Sequence, residues 1–158
     1  KSKNNEIVRL LLNGGANIDA QDPSWRGNTA LMLVAYDRNI SMLNILYNNI
    51  NRPNSTLQDI DGLTALMIAV KKSMKSAENL NKNELSDKDL SFINELIRFS
   101  RGPEEESLQN LLAIVDNNGE TVRDYVDDWE DNNNPPIAIN FNPDDVPFFE
   151  GMSNIASV

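Results

Sequence analysis

The chain has 158 residues, 40% of them hydrophobic, with a net charge of −10 and neither cysteine nor histidine. Those two absences exclude disulfides, thiolate metal sites and the commonest acid–base catalyst, so no catalysis and no cofactor are expected, and a reducing, cytoplasmic compartment fits. Residues 116–158 carry ten acidic side chains against one basic, Arg123, so neither nucleic acid nor an anionic membrane is an expected partner.

In chain order, Ile7-Val8-x-Leu10-Leu11-Leu12 predicts a short helix, stopped by Asn13-Gly14-Gly15, where glycine is free to take positive φ. Gly27-Asn28-Thr29-Ala30-Leu31-Met32 then opens a second helix capped by Thr29. Met42-Leu43-x-Ile45-Leu46-Tyr47 repeats the Ile7 pattern 35 residues on, and Gly62-Leu63-Thr64-Ala65-Leu66-Met67 repeats the Gly27 motif at the same distance. A fixed period of this size marks a solenoid of helix pairs, and solenoids mostly bind.

Farther along, residues 73–88 are polar and lysine-rich, which predicts an extended helix followed by a surface loop. Ser86-Asp87-Lys88-Asp89 reads as a capping box for a helix carrying Leu90, Ile93, Leu96 and Ile97. Gly102-Pro103 is a break, followed by an acidic helix start with Leu108, Leu111, Leu112 and Val115 on one face. Asp116-Asn117-Asn118-Gly119 is a turn signature. Asp127 to Pro136 reads as an acidic, helix-incompatible linker. The tail beyond it, with Ile137, Ile139, Phe141, Val146, Phe148 and Phe149, either caps the last repeat or docks on a partner.

These residues resemble the ankyrin repeat family, whose consensus runs roughly D-x-x-G-x-T-P-L-H-x-A-A, a turn, then I-V-x-L-L-L-x-x-G-A. Ile7 to Ala20 is similar to the second half of one repeat, Gly27 to Tyr47 to another, Asp59 to Leu66 to the start of a third and Asp116 to Thr121 to the start of a fourth. The resemblance implies an all-α solenoid of about three to four repeats over residues 1–126, with a half repeat at 5–20, repeats from about 22, 59 and 116, and an insertion at about 73–88. Residues 127–158 are expected to form the acidic linker and apolar tail. Because residue 1 falls inside a repeat, the chain is expected to be the C-terminal part of a longer array.

The departures carry weight. Each 35-residue spacing exceeds the consensus of about 33 by two, and both extra residues are expected in the hairpin fingers. The family's histidine is replaced by Met32, Met67 and Asp124. Methionine is expected to replace its packing and not its hydrogen bonds.

Function follows as an expectation from the same resemblance. It implies a monomeric, non-catalytic module that binds another protein through hairpin tips and the concave side of the inner helices. Carried onto this chain, the finger positions include Trp25, Arg26 and Asn28, then Ile60 and Leu63. The inner-helix positions are Leu33, Tyr36 and Asp37, then Lys71 and Lys72, then Tyr125. Trp25 reads either as a fingertip anchor or as a shield folded over its neighbour, while Asp59, Asp61 and Asp116 read better as hairpin acceptors. Three roles are weighed: a host-directed effector of an intracellular bacterium, suggested by the Asn- and Lys-rich composition, a regulatory region of a larger enzyme, and a purely structural spacer and C-terminal cap.

Overall fold

The computed structural model describes residues 2–101, 106–132, 136, 137, 139 and 141. The predicted break at 102–105 and the tail residues Val146, Phe148 and Phe149 lie outside them. The helices are α1 (Ser2–Asn13), α2 (Ala30–Asp37), α3 (Ile40–Tyr47), α4 (Ala65–Asn79), α5 (Asp87–Ser100), α6 (Glu106–Leu112) and α7 (Val122–Asp131). Among the described residues there is no strand, only an isolated bridge between Asp22 and Asn28. The fold is the all-α repeat stack that the period predicted.

Three threonines start the inner helices in one way. The hydroxyls of Thr29, Thr64 and Thr121 accept the N–H groups of Met32, Met67 and Asp124, each at 3.3 Å. Each cap also receives a return bond from within its own repeat. The N–H of Thr29 reaches the Met32 sulfur at 3.4 Å and that of Thr64 reaches the Met67 sulfur at 3.5 Å. A thioether is a weak acceptor, but with both partners buried it is the group at hand. In the third cap the Asp124 carboxylate accepts the Thr121 N–H at 2.6 Å.

The inner helices α2, α4 and α7 pack in series, while α3 and α5 form the outer layer and α1 rests on α3. Leu31, Met32, Leu43 and Leu46 fill the first interface, then Leu66, Met67, Val70, Phe92, Ile93 and Leu96 the next. Tyr47 stacks on Phe99 with ring centroids 4.8 Å apart, sealing α3 against α5. Arg38 caps α2 in the left-handed region (φ 51°), and its guanidinium reaches the Lys72 carbonyl, the Ser76 hydroxyl and Asp89 of α5. That half-buried cation ties three helices at one point.

Helix α4 runs two turns beyond α2 and buries Met74 and Ala77, and a loop leads to the Ser86 cap. The reciprocal capping bond takes a variant form there, with the Ser86 hydroxyl donating to the Asp89 carboxylate at 2.7 Å. Val115 is not on the buried face of α6: that helix ends at Leu112, and Val115 stands exposed.

Two further expectations are corrected. The second pair of extra residues is not in a finger, since Asn17 and Asn54, Gln21 and Gln58, and Asp22 and Asp59 are all 37 apart, whereas Gly27 and Gly62 are 35 apart. The extra length therefore precedes Asn54, in the loop after α3. The segment from Asp127 is also not linker, because α7 continues to Asp131 and buries Val122, Tyr125, Val126 and Trp129. These residues share one helical stripe, and the acidic Asp127, Asp128 and Asp131 project from the exposed side. Beyond it, Ile137, Ile139 and Phe141 pack against the core. The Ile137 N–H is held by Glu130 at 2.8 Å, which agrees with the capping reading for that part of the tail.

Candidate protein-binding groove

The groove is framed by fingers that the sequence braces internally. Asp22, Asp59 and Asp116 each turn a side-chain oxygen onto backbone N–H groups of their own finger: Ser24; Asp61 and Leu63; Asn118 and Glu120. Such Asx contacts fix a turn without help from a partner. The fingers are then chained to one another. The Gln21 amide donates to the Gly27 carbonyl at 2.9 Å and to the Gln58 carbonyl of the next finger at 2.7 Å. Gln58 repeats this, reaching Gly62 and, at 2.8 Å, Val115. Backbone bonds from Ile60 N–H to Arg26 and from Asn117 N–H to Asp61 complete the chain. Gly62 sits where it does for two reasons: its φ is +78°, and a Cβ there would stand 2.8 Å from the Asn117 nitrogen.

Beneath the fingers, α4 presents Ile68, Lys71, Lys72 and Lys75 at i, i+3, i+4 and i+7, one stripe of a helix. With Tyr36 of α2 and Arg26, Asn28, Asp59, Asp61 and Leu63 of the fingers, the stripe encloses an open groove of about 410 Å³. Its floor is apolar, from Leu63 and Ile68, and its rim is charged. The Lys72 ammonium lies 3.7 Å from the Tyr36 ring centroid, and Arg26 pairs with Asp61 across the two fingers. A second depression of about 400 Å³ continues between α4 and α7, lined by Lys71, Lys75, Glu78, Tyr125, Asp128 and Trp129 among others.

The predicted site residues divide. Arg26, Asn28, Tyr36, Leu63, Lys71 and Lys72 come together in the first groove. Asn28 spends its amide on the Trp25 carbonyl at 2.7 Å, so its polar head serves the finger. Leu33 and Asp37 face a different depression, toward Asn4, Asn5 and Arg38. Trp25 and Ile60 stand at the tips, 63% and 61% exposed. Trp25 does not fold back as a shield: its backbone forms the Pro23–Trp25 turn while the indole faces solvent.

Tyr125 is the residue whose surroundings differ most from the expectation. It is 7% exposed, and its hydroxyl donates to Asp116 at 2.6 Å. Lys71 lies above both, 4.4 Å from the ring and 4.0 Å from the Asp116 carboxylate. Burial pushes the Asp116 carboxyl upward, but the Tyr125 hydroxyl, the Glu120 and Asn118 N–H groups and Lys71 outweigh it and hold the pKa below its ordinary value. Burial, and then the bond to this carboxylate, raises the Tyr125 hydroxyl well above its usual range. The trio is a structural joint between the last two repeats.

Sequence reasoning missed Lys75, which it left in the insertion, and Asp128 and Trp129, which it left in the linker. A 57-residue offset places Asp128 and Trp129 opposite Lys71 and Lys72. Among the described residues no group of three His, Cys, Asp or Glu side chains could hold a metal, and no helix is long and apolar enough to cross a membrane.

Stacked helix pairs with braced fingers over a concave inner face define a helical-repeat solenoid. A family model described as ankyrin repeats (3 copies) matches residues 1–92, more than half of the sequence, and the chain belongs to the ankyrin repeat family. Repeats of this family are generally protein-interaction modules and are typically non-catalytic. The third finger, at Asp116, lies beyond the matched span. A search of curated proteins finds no match to the chain.

Proposed function

We propose that this chain binds a partner protein through the groove between α2, α4 and the first two fingers. The observation that carries the reading is the convergence of Arg26, Tyr36, Leu63 and Lys72 on one open cleft with an apolar floor. Tyrosine and arginine are among the side chains that dominate binding energy, tyrosine because it buries a large rigid ring with few rotatable bonds and arginine because its planar guanidinium presents several donors at once. The frame is preformed: the fingers are cross-linked by Gln21 and Gln58 and the inner helices are capped, so little ordering opposes association. The composition, free of cysteine, fits work in a reducing, cytosol-like compartment.

An alanine panel tests the reading against whichever protein is captured on the immobilised chain. Tyr36→Ala and Arg26→Ala are each expected to weaken that complex by about 2 kcal/mol, the size typical of an interface hot spot. Leu80→Ala, on an exposed residue in the insertion, serves as the control. Equal affinity of all three variants and the wild type contradicts the assignment.

A further inference from the structure

We infer that the occupant of this groove is an acidic peptide segment of a partner protein, one that carries an aromatic or aliphatic side chain beside its carboxylates. The inference rests on the groove reading above and adds the chemistry of what enters. Lys71, Lys72 and Lys75 project from the middle of α4 (Ala65–Asn79), not from its last turn, where the helix dipole would favour cations. Lys71 and Lys75 are like charges at i and i+4, an arrangement that weakens a helix. Glu78 at i+3 offsets that repulsion for Lys75, but among the described residues Lys71 and Lys72 have no ion pair on their own helix, in a chain whose net charge is −10.

The groove lining holds four cations, Arg26, Lys71, Lys72 and Lys75, against two carboxylates, Asp59 and Asp61. Arg26 is matched by Asp61 and Lys71 by Asp116. Among the described residues Lys75 pairs with the solvent-exposed Glu78, at 3.2 Å on its own helix, a weak pair open to exchange. Among the described residues Lys72 forms no ion pair, and its ammonium rests on the Tyr36 ring. A carboxylate entering between Lys72 and Lys75 meets two cations at a site where its neighbouring side chain reaches the Leu63 and Ile68 floor. Charge complementarity of this kind sets specificity and on-rate. The apolar floor favours a peptide over a polyphosphate, which has no side chain to place there.

Selection from a random twelve-residue peptide library on the intact chain tests this directly. The expected result is enrichment of sequences with at least two Asp or Glu next to an aromatic or aliphatic residue. A synthetic selected peptide is expected to lose at least tenfold in affinity with K72E and K75E, to retain it with K72R, and to weaken as salt rises. Thermal melting of each variant verifies the fold. The inference is overturned if the enriched peptides are neutral or basic, or if acidic ones bind K72E and K75E as well as wild type. In the first case, loss of binding by Tyr36→Ala leaves the groove reading standing. If no enriched peptide responds to Tyr36→Ala or to the lysine changes, both readings fall.

Discussion

The Gln58 side-chain amide donates to the Val115 carbonyl at 2.8 Å, joining residues 57 positions apart across the insertion. The same amide holds Gly62 of its own finger, so this side chain bridges the second and third hairpins alongside the Asn117 bonds to Ile60 and Asp61. Gln58→Ala removes both bonds. The expected loss is about 1–2 kcal/mol, from about 1 kcal/mol net per hydrogen bond. A broader urea transition is also expected as the last repeat uncouples from the rest. An unchanged midpoint and slope in urea unfolding would show that backbone contacts alone set the finger spacing.

Gly62 and Gly119 allow a matched comparison. Both have positive φ, 78° and 83°, yet only at Gly62 does an added Cβ meet the next finger. Gly119→Ala is expected to cost about 1 kcal/mol from backbone strain alone, and Gly62→Ala about 2–3 kcal/mol because the contact with Asn117 must also open. Chemical denaturation of the two variants decides it, and equal losses would remove the close approach as a cause.

The Asp116 carboxylate gives a pH dependence with a definite sign. Its folded pKa lies below the ordinary value of 3.8. The stability it contributes is therefore present above about pH 4 and lost as pH falls through the lowered folded value. Asp116→Asn is expected to be less stable than wild type at pH 7, with the gap closing as pH falls below the ordinary 3.8 and through the lowered folded value. Melting temperatures across pH 2–7 measure this, and a gap that does not change with pH would contradict the charge-based account of the Tyr125 joint.

Much of the fold was legible because it is periodic. Thr29, Thr64 and Thr121 stand at matching positions, and the apolar patterns led by Ile7 and Met42 recur at 35 residues, so local propensity and repeat register point the same way. What stayed hidden was non-periodic or long-range. The boundary placed at Val126 failed because the acid-rich composition of Asp127 to Asp131 outweighed the one signal that mattered, the i, i+3, i+4, i+7 spacing of Val122, Tyr125, Val126 and Trp129. Tyr125 maps onto a groove position, but its burial depends on Asp116 and Lys71, which no local pattern reveals. The Gln21 and Gln58 staples recur 37 apart, a register masked by the stronger 35-residue motif. Six of the proposed contact residues do share one groove, because helical periodicity and repeat length together determine which side chains face the same way.

Trp129 tests the revised boundary. It is 6% exposed and packs in the α7 core stripe. Trp129→Ala is expected to destabilise the chain by about 3–5 kcal/mol, the range for truncating a buried aromatic. Tryptophan fluorescence of a Trp25→Phe background isolates Trp129, and a red, solvent-like emission from it would contradict its burial.

The central claim is that the concave groove under the first two fingers is the binding face. Hydrogen–deuterium exchange of the chain, free and saturated with a captured partner or selected peptide, measures it most directly. The account predicts added protection at residues 26–36 and 63–75, with the outer helix α5 unchanged. Protection confined to α3, α5 or the α1 surface, with the groove exchanging as in the free chain, would contradict it.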